Sequence, residues 1–235
     1  MKIRFTALLL LLLISVNSFA QDINKMDAAG KRNGVWKGIY EKSKRPRYEG
    51  TFDHGKETGT FKFFEDDKTS TLAATRTFSA DGSCITTFFD AKGKKISEGK
   101  EVNKFREGEW KFFSEGTSVL LSTETYVNGK INGVKKTYLP TGKLAEEATY
   151  NNDVMEGPYK QYNEKGTVLE ESIYKNGKLH GPATYRDAKG DISAKGQFTD
   201  NKKTGKWQFF EGGKLVKEED LTNKKVQLAR KERKQ

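Results

Sequence analysis

Apolar and polar positions alternate along this chain on two scales. Locally, aromatic and β-branched residues sit between polar ones in short runs bounded by Gly, Asn or Asp, and helical spacing of apolar residues is absent. On the longer scale a Gly-x-aromatic opening returns at Gly34-Val35-Trp36, Gly59-Thr60-Phe61, Gly108-Glu109-Trp110, Gly157-Pro158-Tyr159 and Gly205-Lys206-Trp207. Weaker copies begin at Gly133 and Gly181, and a degenerate one fits at Ser83, leading into Ile85 and Phe88. These anchors are 25, 24, 25, 25, 24, 24 and 24 residues apart, a register that chance does not hold over seven intervals.

Two further positions keep the same beat. Seven residues before an anchor stand Phe52, Tyr126, Tyr150, Tyr174 and Phe198, with Arg76 and Glu101 breaking the series on either side of the degenerate unit. Four residues before an anchor stand Gly55, Gly129, Asp153, Gly177 and Asn201, residue types that tolerate the positive φ of a tight turn. A second turn inside each unit is marked by Glu115-Gly116, Thr141-Gly142, Lys165-Gly166, Lys189-Gly190 and Gly212-Gly213. Each unit therefore reads strand, turn, strand, turn. The prediction is an all-β protein: an extended antiparallel β-meander of about eight tandem hairpin units, spanning residues 32–225.

One hairpin cannot bury enough apolar surface to hold itself, so neighbouring units must stack their aromatic side chains. About 16 strands at ~4.8 Å would extend roughly 75 Å if uncurled. The doublets Phe63-Phe64, Phe112-Phe113 and Phe209-Phe210 fit this poorly. Adjacent strand residues face opposite sides, so one member of each must be exposed or re-aimed by a bulge.

The N-terminus follows another rule. Lys2 and Arg4 precede an apolar run from Ala7 to Val16, and Ser18-Phe19-Ala20 supplies the small residues of a cleavage site. Residues 1–20 thus read as a secretory signal peptide, the apolar run being too short for a membrane span. Residues 21–31 read as a short linker and residues 226–235 as a basic C-terminal tail. Export to periplasm, cell surface or medium is the expected address, with no transmembrane span after the signal is removed.

Among 235 residues the formal net charge is +11, with 32% charged residues of both signs interspersed. Such a surface is solvated as readily as it is dedicated to an anionic partner, and export disfavours nucleic acid. Cys84 is the only cysteine, so no internal disulfide forms. His54 and His180 lie in inter-unit turns five repeats apart and share no metal site. The paired carboxylates Glu146-Glu147 and Glu170-Glu171 occupy equivalent positions in adjacent repeats, which points to a solvated row facing lysines and not to an acid/base pair. No catalytic set, metal or cofactor is expected.

The turn strings Tyr174-Lys-Asn-Gly-Lys-Leu-His-Gly181 and Asn201-Lys-Lys-Thr-Gly-Lys-Trp-Gln-Phe-Phe210 resemble the MORN repeat, in the variant found in bacterial antitoxins of the YwqK type. That resemblance spans about residues 31–225 and departs from the pattern over residues 65–107, where Ser83, Lys104 and Phe105 replace turn residues. It implies a hairpin sheet used for association with proteins or membranes.

The expected function is a non-enzymatic scaffold for protein–protein interaction in the bacterial envelope, with binding of anionic lipid or polysaccharide, or envelope immunity to a toxin, as alternatives. Trp36, Trp110, Tyr159 and Trp207 share one repeat position and are either the structural ladder or an exposed binding row. Lys56, Lys130, Lys178 and Lys202, each at an inter-unit turn, are the candidate contacts to an anionic surface.

Overall fold

A computed structural model of the chain describes residues 23–222. The signal-peptide segment and the basic tail from residue 226 lie outside the described residues. Within them the chain forms β1 (Lys25–Met26), β2 (Arg32–Ile39), β3 (Pro46–Asp53), β4 (Lys56–Phe64), β5 (Leu72–Phe78) and β6 (Cys84–Phe89). Next come β7 (Lys95–Val102), β8 (Phe105–Phe113), β9 (Leu120–Val127), β10 (Lys130–Tyr138), β11 (Leu144–Asn151) and β12 (Val154–Tyr162). The series ends with β13 (Val168–Lys175), β14 (Lys178–Arg186), β15 (Ile192–Thr199), β16 (Lys202–Glu211) and β17 (Lys214–Asp220). No helix occurs among the described residues, and every pairing is antiparallel between strands adjacent in sequence. The result is one open 17-stranded meander, as the repeat predicts.

The inter-unit turns are two-residue loops whose central residues both have positive φ, as at Asn128 (49°) and Gly129 (80°). This is the twist-matched hairpin geometry that Asn-Gly favours. Five of these turns are fastened to the preceding unit. The Gly55, Gly129, Asp153, Gly177 and Asn201 amides donate to the carbonyls of Arg32, Arg106, Ile131, Met155 and Leu179 at 2.8–3.0 Å.

The anchor glycines serve a different purpose from the turn. On β12, Met155 and Tyr159 pair with Tyr150 and Ala148 of β11, so three residues oppose one, Thr149, and the strand carries a bulge around Gly157. The same two-residue excess surrounds Gly59, Gly108, Gly133, Gly181 and Gly205. Across two of these bulges an indole finds its acceptor: Trp110 Nε1–H donates to the Lys100 carbonyl (2.9 Å) and Trp207 Nε1–H to that of Gln197 (3.1 Å). Trp36 does the same with Lys25 of β1 (3.2 Å), so the short first strand imitates a preceding unit. Asn24 completes that cap: its amide group donates to the Lys37 carbonyl and accepts from the Lys37 amide.

The third unit is built differently. Here β5 and β6 pair without a bulge, Phe78 against Cys84 and Arg76 against Thr86, across a five-residue turn from Ser79 to Ser83. The repeat anchor is therefore Cys84 and not Ser83. The aromatic that corresponds to Phe52 and Tyr126 is Phe78, which meets Phe61 edge-on at 5.6 Å, and not Arg76. Counting from glycine spacing misplaces both because the turn has lengthened where the bulge is lost. The doublets are also settled. Phe63, Phe112 and Phe209 lie beside Phe61, Trp110 and Trp207 on one face, and a register shift at Phe64, Phe113 and Phe210 leaves those rings half-buried at the other end of the strand.

A single sheet can bury a ring only by packing same-face neighbours around it. Trp110 and Trp207 are nevertheless 0% exposed and Phe61 1%. Each sits on a strand neighbour with no side chain: a Cβ at Gly50, Gly99 or Gly196 would fall 2.3–2.4 Å from the ring of Phe61, Trp110 or Trp207. Phe88, Phe112 and Tyr126 crowd Trp110, while Tyr185, Phe198 and Phe209 crowd Trp207. The aromatic ladder is not continuous. Arg76–Glu101 (3.2 Å) interrupts it in the third unit and Lys135–Glu124 (2.8 Å) in the fifth.

Candidate functional site

The aromatic face is the front of the sheet. Its tryptophans share a device: a cation four residues upstream lies over the indole. Arg32 stands 4.8 Å from the Trp36 ring, Arg106 4.4 Å from Trp110 and Lys203 4.1 Å from Trp207. Each of these contacts is worth ~0.5–2 kcal/mol, more as the pair is desolvated. Arg106 also donates to the Tyr126 hydroxyl (3.0 Å), which in turn donates to Glu124. The position of the cation is legible in the sequence as Arg32…Trp36, Arg106…Trp110 and Lys203…Trp207, a pairing that glycine spacing alone does not bring out.

Units five to seven lack this cation. Ile131, Met155 and Leu179 take its place, and the rings there are Tyr150, Tyr159, Tyr174 and Tyr185. Tyr159 and Tyr174 meet edge-on at 5.7 Å. By register, Glu146, Gln161, Glu170 and Tyr185 form one row across β11–β14, which sets the two carboxylates two strands, ~10 Å, apart. Both are half-buried, and neither is in an ion pair among the described residues. Ser172 donates to Glu170 at 3.0 Å. Burial raises the hydroxyl pKa values of Tyr159 and Tyr174, and both carboxylates raise them further. Burial, then Glu170, pushes Tyr185 up to about 12.

The back face is organised by charge. One residue from each of sixteen strands falls into a single cross-strand row. It runs Lys37, Glu49, Lys62, Thr75, Thr87, Glu98, Lys111, Thr123, Lys136, Glu147, Lys160, Glu171, Thr184, Lys195, Gln208 and Glu218. Opposite charges alternate within it: Glu49 lies 3.1 Å from Lys62, Glu147 3.4 Å from Lys136 and Glu171 3.4 Å from Lys160. Glu171 also accepts from Arg186 (3.1 Å) and Glu147 from the Tyr162 hydroxyl (2.7 Å). The second glutamate of each pair thus faces lysines on the back, while the first turns to the tyrosines on the front.

Of the four aromatic candidates, Trp110 and Trp207 are wholly buried, whereas Trp36 and Tyr159 are half-buried. Lys56, Lys130, Lys178 and Lys202 each open a strand after a tight turn, all exposed and along one rim of the sheet. Successive units place such residues ~10 Å apart. His54, in the β3–β4 turn, has Nδ1 2.6 Å from Asp27 Oδ2, whereas His180 lies in strand β14 and not in a turn, its Nδ1 3.6 Å from Asp200 Oδ1. Cys84 is buried beside Thr86 and Glu101, and desolvation raises its thiol pKa. A cleft of about 790 Å³ on the front runs along Phe52, Glu57, Phe63, Arg76 and Phe78. Among the described residues no three His, Cys, Asp or Glu side chains gather to hold a metal, and no helix is long and apolar enough to cross a membrane.

Residues 131–152 and 155–176 each match the model of the MORN repeat variant. These two units carry Glu146, Glu170, Tyr150, Tyr159 and Tyr174 of the tyrosine–glutamate patch, while Tyr185 lies in the next unit. No curated protein matches the chain. Among solved structures, a point mutant of S. aureus TarM in complex with fondaparinux, α-GlcNAc-glycerol and UDP is 16% identical, covering 52% of this chain and 19% of that one, at a TM-score of 0.26. A second TarM crystal structure is 11% identical, covering 50% and 19%, at 0.22. The chain spans about a fifth of the length of those proteins, and a superposition that loose bears on neither fold nor function.

Proposed function

We propose that this chain, with MORN-variant repeats at residues 131–176, is an exported, non-enzymatic scaffold that holds a protein partner in the bacterial cell envelope. The observation that supports it best is the single-layered sheet, whose front face of half-buried rings has no second layer over it among the described residues. Sandwich proteins close such a face with another sheet; a repeat sheet presents it along its whole length. The leader-like pattern of residues 1–20 supports the address. Affinity capture from envelope extracts should recover one partner in stoichiometric amount, lost when front-face residues are altered. Repeated capture of nothing would sink this reading.

The rim lysines favour a second reading, contact with anionic lipid or polysaccharide. Sedimentation with vesicles of anionic and neutral lipid separates the two. A lysine rim binds the anionic vesicles alone and releases them as salt rises, because exposed charges are screened within ~8–10 Å. Replacing Lys56, Lys130, Lys178 and Lys202 by Gln should abolish that binding.

A further inference from the structure

We propose that the tyrosine–glutamate patch on β11–β14 receives the arginine or lysine side chains of an extended basic segment of a partner protein. This rests on the scaffold reading above and names the chemistry of the partner.

The fold itself shows what its aromatic face accepts. Three times it lays a cation over a ring, as Arg32 on Trp36, Arg106 on Trp110 and Lys203 on Trp207. Units five to seven drop that cation, placing Ile131, Met155 and Leu179 there instead, and unit six keeps the ring four residues on, Tyr159, where its neighbours have Lys135, already paired with Glu124, and Ala183. Units five and six add Glu146 and Glu170 to the front face. Elsewhere the chain neutralises such carboxylates itself: Glu124 with Lys135, Glu101 with Arg76, and Glu147 and Glu171 with Lys136, Lys160 and Arg186. In a chain of net charge +11, two half-buried carboxylates without a cation are a local reversal of sign, so attraction of a basic ligand to this patch does not follow from overall charge. Tyrosine faces attract a guanidinium or ammonium, and a carboxylate beside them supplies the directed hydrogen bonds.

Spacing selects the form of the ligand. Glu146 and Glu170 lie ~10 Å apart across two strand spacings. A polyproline II segment advances ~3.1 Å per residue and returns to the same side every third residue, so its side chains recur at ~9 Å. Arginine suits the site better than lysine because its plane stacks on a ring while its edge forks onto a carboxylate.

The test uses the full chain and a blocked Arg-Pro-Pro-Arg-Pro-Pro-Arg peptide, with the citrulline version as the uncharged control, followed by calorimetry. The arginine peptide should bind and the citrulline peptide should not. The double variant Glu146→Gln/Glu170→Gln should bind about tenfold more weakly, whereas Glu147→Gln/Glu171→Gln on the back face should bind as the parent does. Met155→Lys, which restores an internal cation four residues before Tyr159, should fill the patch and block the peptide. That variant carries the test should the double variant fail to fold. Absence of binding, equal binding of the citrulline peptide, or binding unaffected by both front-face variants overturns the proposal. Envelope capture that still recovers a partner after such a result would leave the scaffold reading in place.

Discussion

At the scale of single residues, the sheet is held by rings resting on missing side chains. Gly99 is the sharpest case, since a Cβ there would fall 2.4 Å from the wholly buried Trp110 ring. Gly99→Ala should destabilise the chain by roughly 2 kcal/mol, the usual cost of overpacking, read as a lowered midpoint in denaturant unfolding. Trp110→Ala should cost about 3–5 kcal/mol by opening a cavity at the same place. The tyrosines give a pH dependence of defined sign. Tyr185 and Tyr162 titrate near about 12 in the fold, held neutral first by burial and then by Glu170 and Glu147 respectively, against 10.0 for an unperturbed phenol. A raised phenol pKa means the folded state keeps a proton that the unfolded chain releases. The stability it contributes is complete below pH ~10 and is lost as pH rises towards about 12. Tyrosinate absorbance should therefore develop in two phases, with melting temperature falling through the later one; a single phase centred near pH 10 would contradict the burial described above.

At the scale of the strand and turn, the sequence discloses where turns fall but not how each unit absorbs its residues. Five inter-unit turns, the ladder positions Phe52, Tyr126, Tyr150, Tyr174 and Phe198, and the glutamate row all sit where periodicity puts them. The third unit defeats counting because a longer turn and a lost bulge nearly cancel in length, leaving the spacing intact while shifting the register at Cys84 and Phe78. The aromatic doublets are ambiguous in sequence because a strand's two faces are equivalent there until a bulge distinguishes them. Cation–ring pairs escape notice because the bulge at the anchor glycine brings residues four apart together, a spacing not associated with strands. The turn Asn103-Lys104 adopts the same left-handed pair of conformations as Asn128-Gly129, with Lys104 at φ 69°. Lys104→Gly should therefore stabilise the protein by roughly 1 kcal/mol, since a residue with a Cβ pays a steric penalty there. Chemical unfolding measures it, and a loss of stability would mean the lysine makes a contact that outweighs the strain.

At the scale of the whole molecule, each unit meets only its sequence neighbours, so stability is a sum of local terms and not of one shared core. Removing residues 157–180, one full repeat from anchor to anchor, should leave Glu156 joined to Gly181 with both flanking strands in register. The shortened chain should keep a β-type far-UV spectrum and the buried-indole fluorescence of Trp110 and Trp207. Removing half that length deletes a strand, reverses the direction of all that follows, and should abolish the fold. Hydrogen exchange should be slowest in strands flanked on both sides and fastest in β17, whose side chains are exposed almost throughout.

The strictly nearest-neighbour pairing also fixes what assembly is like in time. A chain made from its N-terminus onward never leaves a strand waiting for a partner that has yet to be synthesised, so hairpins can zip in the order of translation, each docking on the one just finished. The newest strand is always the unguarded border. A stalled ribosome would thus hold the molecule at a whole-number step of growth, its adhesive margin renewed with every hairpin added.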